Sequence, residues 1–260
     1  GAEGADAEES EAALARMLLP VVNRKVVKQT VMTSVYGVTF VGARQQIQNR
    51  LEEMAREGGP LHGVEEREIR RSASYLARLT LSSLGQLFQG ATEIMNWLGA
   101  CAKLTAQHGQ PMCWVTPLGL PVIQPYRRQT QAMVRTLLQT VMLSEHSDAL
   151  PVSVARQRSA FPPNYVHSLD STHMLLTAVD CYEMGLSFAA VHDSYWTHAS
   201  TVEVMNDSLR RQFVALHSQP LLQQLRDSLQ LRYPMLDFPQ IPDLGEFDLS
   251  RVMESPYFFN

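Results

Sequence analysis

A mostly helical α+β fold is predicted by three features of this 260-residue sequence. Apolar residues recur at helical spacing through most of the chain, and two short β-forming stretches flank a turn at Pro117 to Gly119. In addition, an apolar run from Leu186 to Val191 meets the turn-forming His192 to Ser194. Hydrophobic residues make up 45% of the chain, which at this length is ample for a buried core.

The elements follow in order. Gly1 to Glu11 is acidic and reads as a frayed lead-in, so the chain looks like a piece of something longer. Helix is expected from Glu11 to Arg56, interrupted at Pro20 and Asn23, with a run from Arg24 to Tyr36 that stops at Gly37. Ile69, Leu76, Leu79, Leu87, Trp97, Leu98 and Leu104 continue the helical period over two or three more helices. Cys113 to Tyr126 mixes β-formers with turn residues, predicting two short strands. Arg127 to Ala160 is ambiguous in structure but locally basic, with Arg127, Arg128, Arg135, Arg156 and Arg158 against Glu145 and Asp148. Pro162 and Pro163 are expected to open a helix reaching about Glu183. A buried strand at Leu186 to Val191, a second strand after the turn, and helices at Val202 to His217 and Pro220 to Leu231 complete the pattern. A Pro-rich tail ends in Pro256-Tyr-Phe-Phe-Asn260, and no internal repeat is visible.

Composition narrows the function classes. A formal net charge of -4 opposes binding to nucleic acid by bulk charge, so any such contact must be local. Cys101, Cys113 and Cys181 are too few and too far apart for a disulfide framework and form no Cys-x-x-Cys pair, which fits a reducing compartment. No apolar run approaches membrane-spanning length, no membrane partner is expected, and the acidic opening is unlike an Arg-rich transit peptide.

Three segments carry chemistry. On a helix, Arg24, Lys28, Met32 and Tyr36 fall on one face, cations first and an aromatic hydroxyl last. Two cations near a helix N-terminus suit a polyphosphate, though a basic i, i+4 pair is also a common solvated face. Next, Phe188 to Val191 runs into His192-Asp193-Ser194, which sets the Asp193 carboxylate at a sheet edge where a hard cation such as magnesium takes oxygen ligands. Asp and Ser there equally make an ordinary polar turn. Finally, His167, Asp170 and Ser171 are helix neighbours within Phe161 to Met174. Zinc at His167, His173, His192 and His198 matches no ligand signature, and Ser168, Ser171 and Ser194 lack a Gly-x-Ser-x-Gly context.

Taken in order, these segments resemble the single-subunit DNA-directed RNA polymerases of phages and mitochondria. Arg24-x-x-x-Lys28 with Met32-Thr33 and Tyr36-Gly37 looks like the family's motif B helix, and His192-Asp193-Ser194-Tyr195 looks like its motif C hairpin. Trp114 to Tyr126 and Phe161 to Met174 match further family blocks, and the wording of the two motifs is most similar to animal mitochondrial enzymes. The resemblance implies a right-hand polymerase fold: an acidic lead-in and helix at 1–23, helical fingers at 24–110, and palm strands at 111–126. A basic insertion like the specificity loop follows at 127–160, then a palm bearing the catalytic Asp on a β-hairpin at 161–246 and a C-terminal foot at 247–260. It makes Arg24 and Lys28 triphosphate contacts, Met32 part of the nucleotide site, Tyr36 a selector of ribonucleotides, and Asp193 a magnesium ligand, with two Mg2+ ions in the complete enzyme. His167 would lie near the incoming nucleotide or the primer-side minor groove, with Asp170 in support, and Arg127, Arg128, Arg156 and Arg158 near promoter DNA. Implied partners are a DNA template and promoter, nascent RNA, ribonucleoside triphosphates and initiation factors, in mitochondria.

Departures qualify this. The family's other metal-binding Asp lies in a motif A of the type Asp-x-Ser-Cys-x-Gly; nothing before Arg24 resembles it, so this chain alone is expected to be inactive. Phe40-Val41-Gly42-Ala43 departs from the usual aromatic-Gly pair, and Asn260 replaces a small terminal residue. Two alternatives stand: an A-family DNA polymerase, in which Glu typically replaces Ser194, and a catalytically dead module derived from a polymerase.

Overall fold

The computed structural model describes residues 12–34, 37–58, 61–128, 130–136, 138–145, 149–191 and 193–258. These fall into two compact units, residues 1–95 and 96–260.

The first unit is helical among its described residues. Helix α1 (12–18) leads into α2 (Arg24–Ser34), α3 (Phe40–Arg56) and α4 (Glu66–Leu87), and the unit boundary falls within α5 (Gln89–Gln107). Asn23 starts α2, its side-chain oxygen accepting from the Lys25 amide at 2.9 Å. Gly37 follows α2 with φ of 74°, a left-handed conformation that glycine takes without penalty. Thr39 then caps α3 by accepting from the Gly42 amide. Val26 of α2 joins Ile47 and Leu51 of α3 and Ile69, Ala73 and Leu76 of α4 in one buried cluster. The helical spacing of these apolar positions is what closes the bundle.

The second unit begins within α5 and adds three two-stranded antiparallel sheets to three helices. Strands β1 (Cys113–Val115) and β2 (Pro121–Ile123) pair about the expected turn, where Gly119 has φ of 87° and the Thr116 amide donates to the Leu120 carbonyl. Strands β3 (Thr130–Arg135) and β4 (Thr140–Glu145) form a hairpin inside the basic stretch. Helix α6 (Val154–Glu183) follows, then β5 (Ala189–Val191), β6 (Ser194–Trp196), α7 (Val202–His217) and α8 (Leu221–Arg232).

Two expectations are corrected here. Pro162 and Pro163 do not open α6; the helix starts at Val154 and runs through both. At about 3 kcal/mol for an interior proline the pair costs on the order of 6 kcal/mol, and burying a phenylalanine, roughly 3–5 kcal/mol by truncation data, offsets much of it. Phe161, 0% exposed, sits edge-on to Trp114 at 5.2 Å between ring centres and 5.8 Å from Tyr165. Keeping that trio packed requires the chain to stay helical up to the prolines, whose fixed φ is compatible with a helix. The strand at the Leu186 to Val191 run is likewise shorter than expected and not buried: β5 covers Ala189 to Val191, and Val191 is 54% exposed. Among the described residues β5 pairs with β6 alone, so neither strand is flanked on both sides.

Candidate nucleotide and metal site

Helix α2 presents its polar residues as the period predicts. Val26 and Thr30 are buried, whereas Arg24, Lys28 and Met32 lie exposed on the opposite side. Thr30 and Thr33 both donate to the side-chain oxygen of Gln46 at 3.2 Å, tying the buried face of α2 to α3. The first turn of α2 holds no acidic residue, so the positive end of the helix and the Arg24 and Lys28 charges add. Among the described residues neither cation has an ion-pair partner. An exposed cationic face of this kind can receive a polyphosphate. Tyr36 lies outside the described residues.

The second unit carries the carboxylate. Val191 pairs with Ser194, which leaves Asp193 in the turn between β5 and β6, exposed to solvent. His192 lies outside the described residues. The Phe188 and Tyr195 rings meet at 5.6 Å between centres, tilted by 53°, and pack on a small core of Cys181, Met205 and Leu209. Desolvation raises the Tyr195 hydroxyl, and the negative charges of Asp170 and Asp193 raise it further. The sequence placed Tyr195 in the motif C match but gave it no role of its own.

His167, Asp170 and Ser171 share α6 as their spacing requires. His167 and Ser171 line an open cleft of about 350 Å3 together with Trp114, Gln124, Tyr126 and Asn164. The floor is fixed by buried amides: Gln157 accepts from the Met112 amide at 3.1 Å and from the Gln124 side chain at 2.7 Å, and donates back to the Gln124 carbonyl at 3.0 Å. Gln157 lies within the basic stretch, and nothing in the sequence marked it as the tie between α6 and the open end of the β1–β2 hairpin. Behind the cleft, His173 donates from Nε2 to the Leu209 carbonyl at 2.8 Å, and the Phe213 ring lies between His173 and His217. Desolvation raises Asp170, opposed by His167, His217 and His173, and desolvation lowers both His173 and His217.

Of the four arginines assigned to the basic stretch, Arg127 donates to the Leu150 carbonyl at 2.8 Å, so part of its guanidinium is committed to the fold. Arg156 and Arg158 lie on α6, both exposed, and Arg158 covers Gly99 of α5, its Cγ 3.6 Å from where a β-carbon would stand. Arg128 is exposed beside them in sequence, its backbone amide bound to the Pro151 carbonyl.

The donors fit magnesium only in part. Asp193 offers hard oxygen, yet among the described residues no three His, Cys, Asp or Glu side chains converge on one point. Magnesium commonly uses one or two carboxylates and fills its remaining positions with water and substrate phosphates, so a single exposed carboxylate is compatible with a share in such a site. No zinc cluster forms from His167, His173 and His198 among those residues.

A mostly helical chain with a cationic helix face and an Asp-tipped hairpin belongs to a defined class: the model of the DNA-dependent RNA polymerase family matches residues 2–237, and the chain is a member of that family. It is similar to mitochondrial DNA-directed RNA polymerase 1 of Nicotiana sylvestris, 53% identical over 95% of this chain and 24% of the relative. It is equally similar to chloroplastic polymerase 3 of the same plant, 53% over 98% of this chain and 25% of the relative. DNA-directed RNA polymerase 2A of Nicotiana tabacum is 51% identical over 98% of this chain and 74% of its own length. The chain therefore spans about a quarter of the first two relatives. Membership places it outside the A-family DNA polymerases. All three relatives come from plants, and the first two are named as mitochondrial and chloroplastic.

Proposed function

We propose that this chain supplies the nucleotide-gripping helix and one metal-binding carboxylate of an organellar, DNA-templated RNA polymerase. The observation that carries the reading is the exposed Asp193 in the β5–β6 turn, within a chain that belongs to the RNA polymerase family. Arg24 and Lys28 bind the triphosphate of the incoming ribonucleotide, with Met32 beside them. Tyr36 tests the sugar, its hydroxyl discriminating ribose from deoxyribose. Asp193 contributes carboxylate oxygen to the two Mg2+ ions, which when bound neutralise charge on the triphosphate and the attacking 3′-oxygen. His167 faces the nucleotide or the primer-side minor groove from the cleft, with Asp170 in support. The right-hand division into helical fingers, β-bearing palm and C-terminal foot belongs to the same proposal.

Template DNA, promoter DNA and nascent RNA are the macromolecular partners, together with initiation factors. Arg128 and Arg156 are the stronger candidates for DNA contact, since Arg127 and Arg158 already have structural roles. The relatives' mitochondrial, chloroplastic and dual-targeted names support an organellar setting. Within it we assign the mitochondrion, as the motif resemblance suggests.

The test is Asp193→Asn in the natural full-length protein, assayed for elongation on a preassembled RNA–DNA scaffold. Loss of elongation with template binding retained is the expected result. Elongation near the wild-type rate would overturn the catalytic assignment and favour a non-catalytic module.

A further inference from the structure

The β1 strand and the end of α8 bring together three chemically active side chains with no role assigned above, beside a cleft that shares Trp114, Val122 and Ile123 with the one lined by His167. The Arg232 guanidinium donates to the Cys113 sulfur, and the Tyr233 hydroxyl stands 3.7 Å from the same atom. Desolvation, with the neighbouring sulfur, pushes the Tyr233 hydroxyl up to about 12, so it stays protonated and can donate to that sulfur. Cys113 is half-buried and borders a cleft of about 420 Å3 whose walls include Gln110, Pro111, Pro121 and Ile123, with Arg232 and Tyr233 at the sulfur. Volumes of roughly 300–1,000 Å3 hold small-molecule ligands.

The other two cysteines supply the contrast. Cys101 and Cys181 are buried; desolvation pushes the Cys101 thiol up to about 12 and raises that of Cys181 as well. A thiol reacts as its anion, and that anion needs donors and access. Cys113 has two donors and a cleft.

We propose that Cys113 is a thiol-modification site that forms a mixed disulfide with an anionic low-molecular-weight disulfide of the glutathione class. The Cys113 sulfur loses its proton to solvent and attacks one sulfur of glutathione disulfide. A new sulfur–sulfur bond forms as the old one breaks, and the departing glutathione leaves with the electron pair as a thiolate and takes a proton from water. Cys113 is oxidised and the departing half reduced. Arg232 has five N–H donors, and with one on the sulfur the others are available to carboxylates of the incoming peptide.

The experiment treats the natural full-length protein, in its native state, with glutathione disulfide and separately with the cationic disulfide cystamine, mapping adducts by peptide mass spectrometry over time. Cys113 is expected to react at least about tenfold faster than Cys101 or Cys181. Its preference for the anionic reagent should fall roughly two- to fivefold in Arg232→Gln, the size of an exposed ion pair, and persist in Arg232→Lys. Comparable rates at the three cysteines would overturn the site. An anionic preference unchanged in Arg232→Gln, or lost equally in Arg232→Lys, would overturn the role of the guanidinium charge.

Discussion

Helix α2 and the β5–β6 hairpin both hold polar groups towards solvent, but different physics fixes each. On α2 the display is set by a period: Val26 and Thr30 are drawn into the core, and Arg24, Lys28 and Met32 are turned outward as a consequence. On the hairpin a single turn sets the display, and its precision depends on the packing of Phe188 and Tyr195 on the Cys181, Met205 and Leu209 cluster. A helix face tolerates the loss of one exposed residue because its neighbours keep their places. A tip carboxylate has no substitute, and its position can be lost through a residue it never touches.

That difference orders the expected effects. On the proposed assignment, Asp193→Asn removes a metal-binding charge with almost no change in volume, and should lower the elongation rate of the full-length protein by roughly 10³-fold or more. Lys28→Ala should cost on the order of 10–100-fold in kcat/KM for ribonucleotides, the worth of one charge-assisted hydrogen bond. If Lys28→Ala proved as damaging as Asp193→Asn in single-turnover kinetics, the two regions would not differ as argued. With Tyr36 in the sugar-testing role proposed above, Tyr36→Phe deletes one neutral hydroxyl and should reduce ribose over deoxyribose selectivity by about 3–10-fold, measured by competitive incorporation. An unchanged ratio would make Tyr36 a packing residue.

The smallest effect concerns pH and the hairpin's support. His173 and His217 are held below 6.5 by desolvation, so the unfolded chain takes up protons more readily than the folded one as pH falls past 6.5. Their contribution to stability is full above 6.5 and declines towards the lower folded values. Asp170, raised above 3.8, acts in the opposite sense: its contribution is present below 3.8 and lost as pH rises through its folded value. The urea midpoint should therefore drop between pH 7.5 and pH 5.5, and His173→Gln, which can still donate to the Leu209 carbonyl, should flatten the slope. Amide protection in α2 should not follow that slope.

Much of the molecule was legible because it rests on local rules. The solvent face of α2, the Gly37 stop, the Pro117 to Gly119 turn and the Asp193 turn each depend on a few consecutive residues, and each was found where spacing put it. What escaped depends on contacts between distant positions. Gln157 reaches Gln124 and Met112 across 33 and 45 residues, and no local pattern announces such a tie. The start of α6 was missed for the same reason: two prolines are a strong local signal for a helix start, and the Trp114 ring 47 positions before Phe161 overrides it. The shallow burial of β5 was also invisible, because an apolar run reads the same whether one strand or several will cover it.

The proline pair within α6 also bears on how the helix opens over time. Pro162 and Pro163 have no amide hydrogen, so the carbonyls of Arg158 and Ser159 receive no α-helical bond from within the helix. The hydrogen-bond ladder is interrupted there for two successive rungs, and cooperative opening is transmitted poorly across such a gap. In deuterium exchange the segment 154–161 should accordingly lose its protection independently of 164–183, so that one continuous rod exchanges as two.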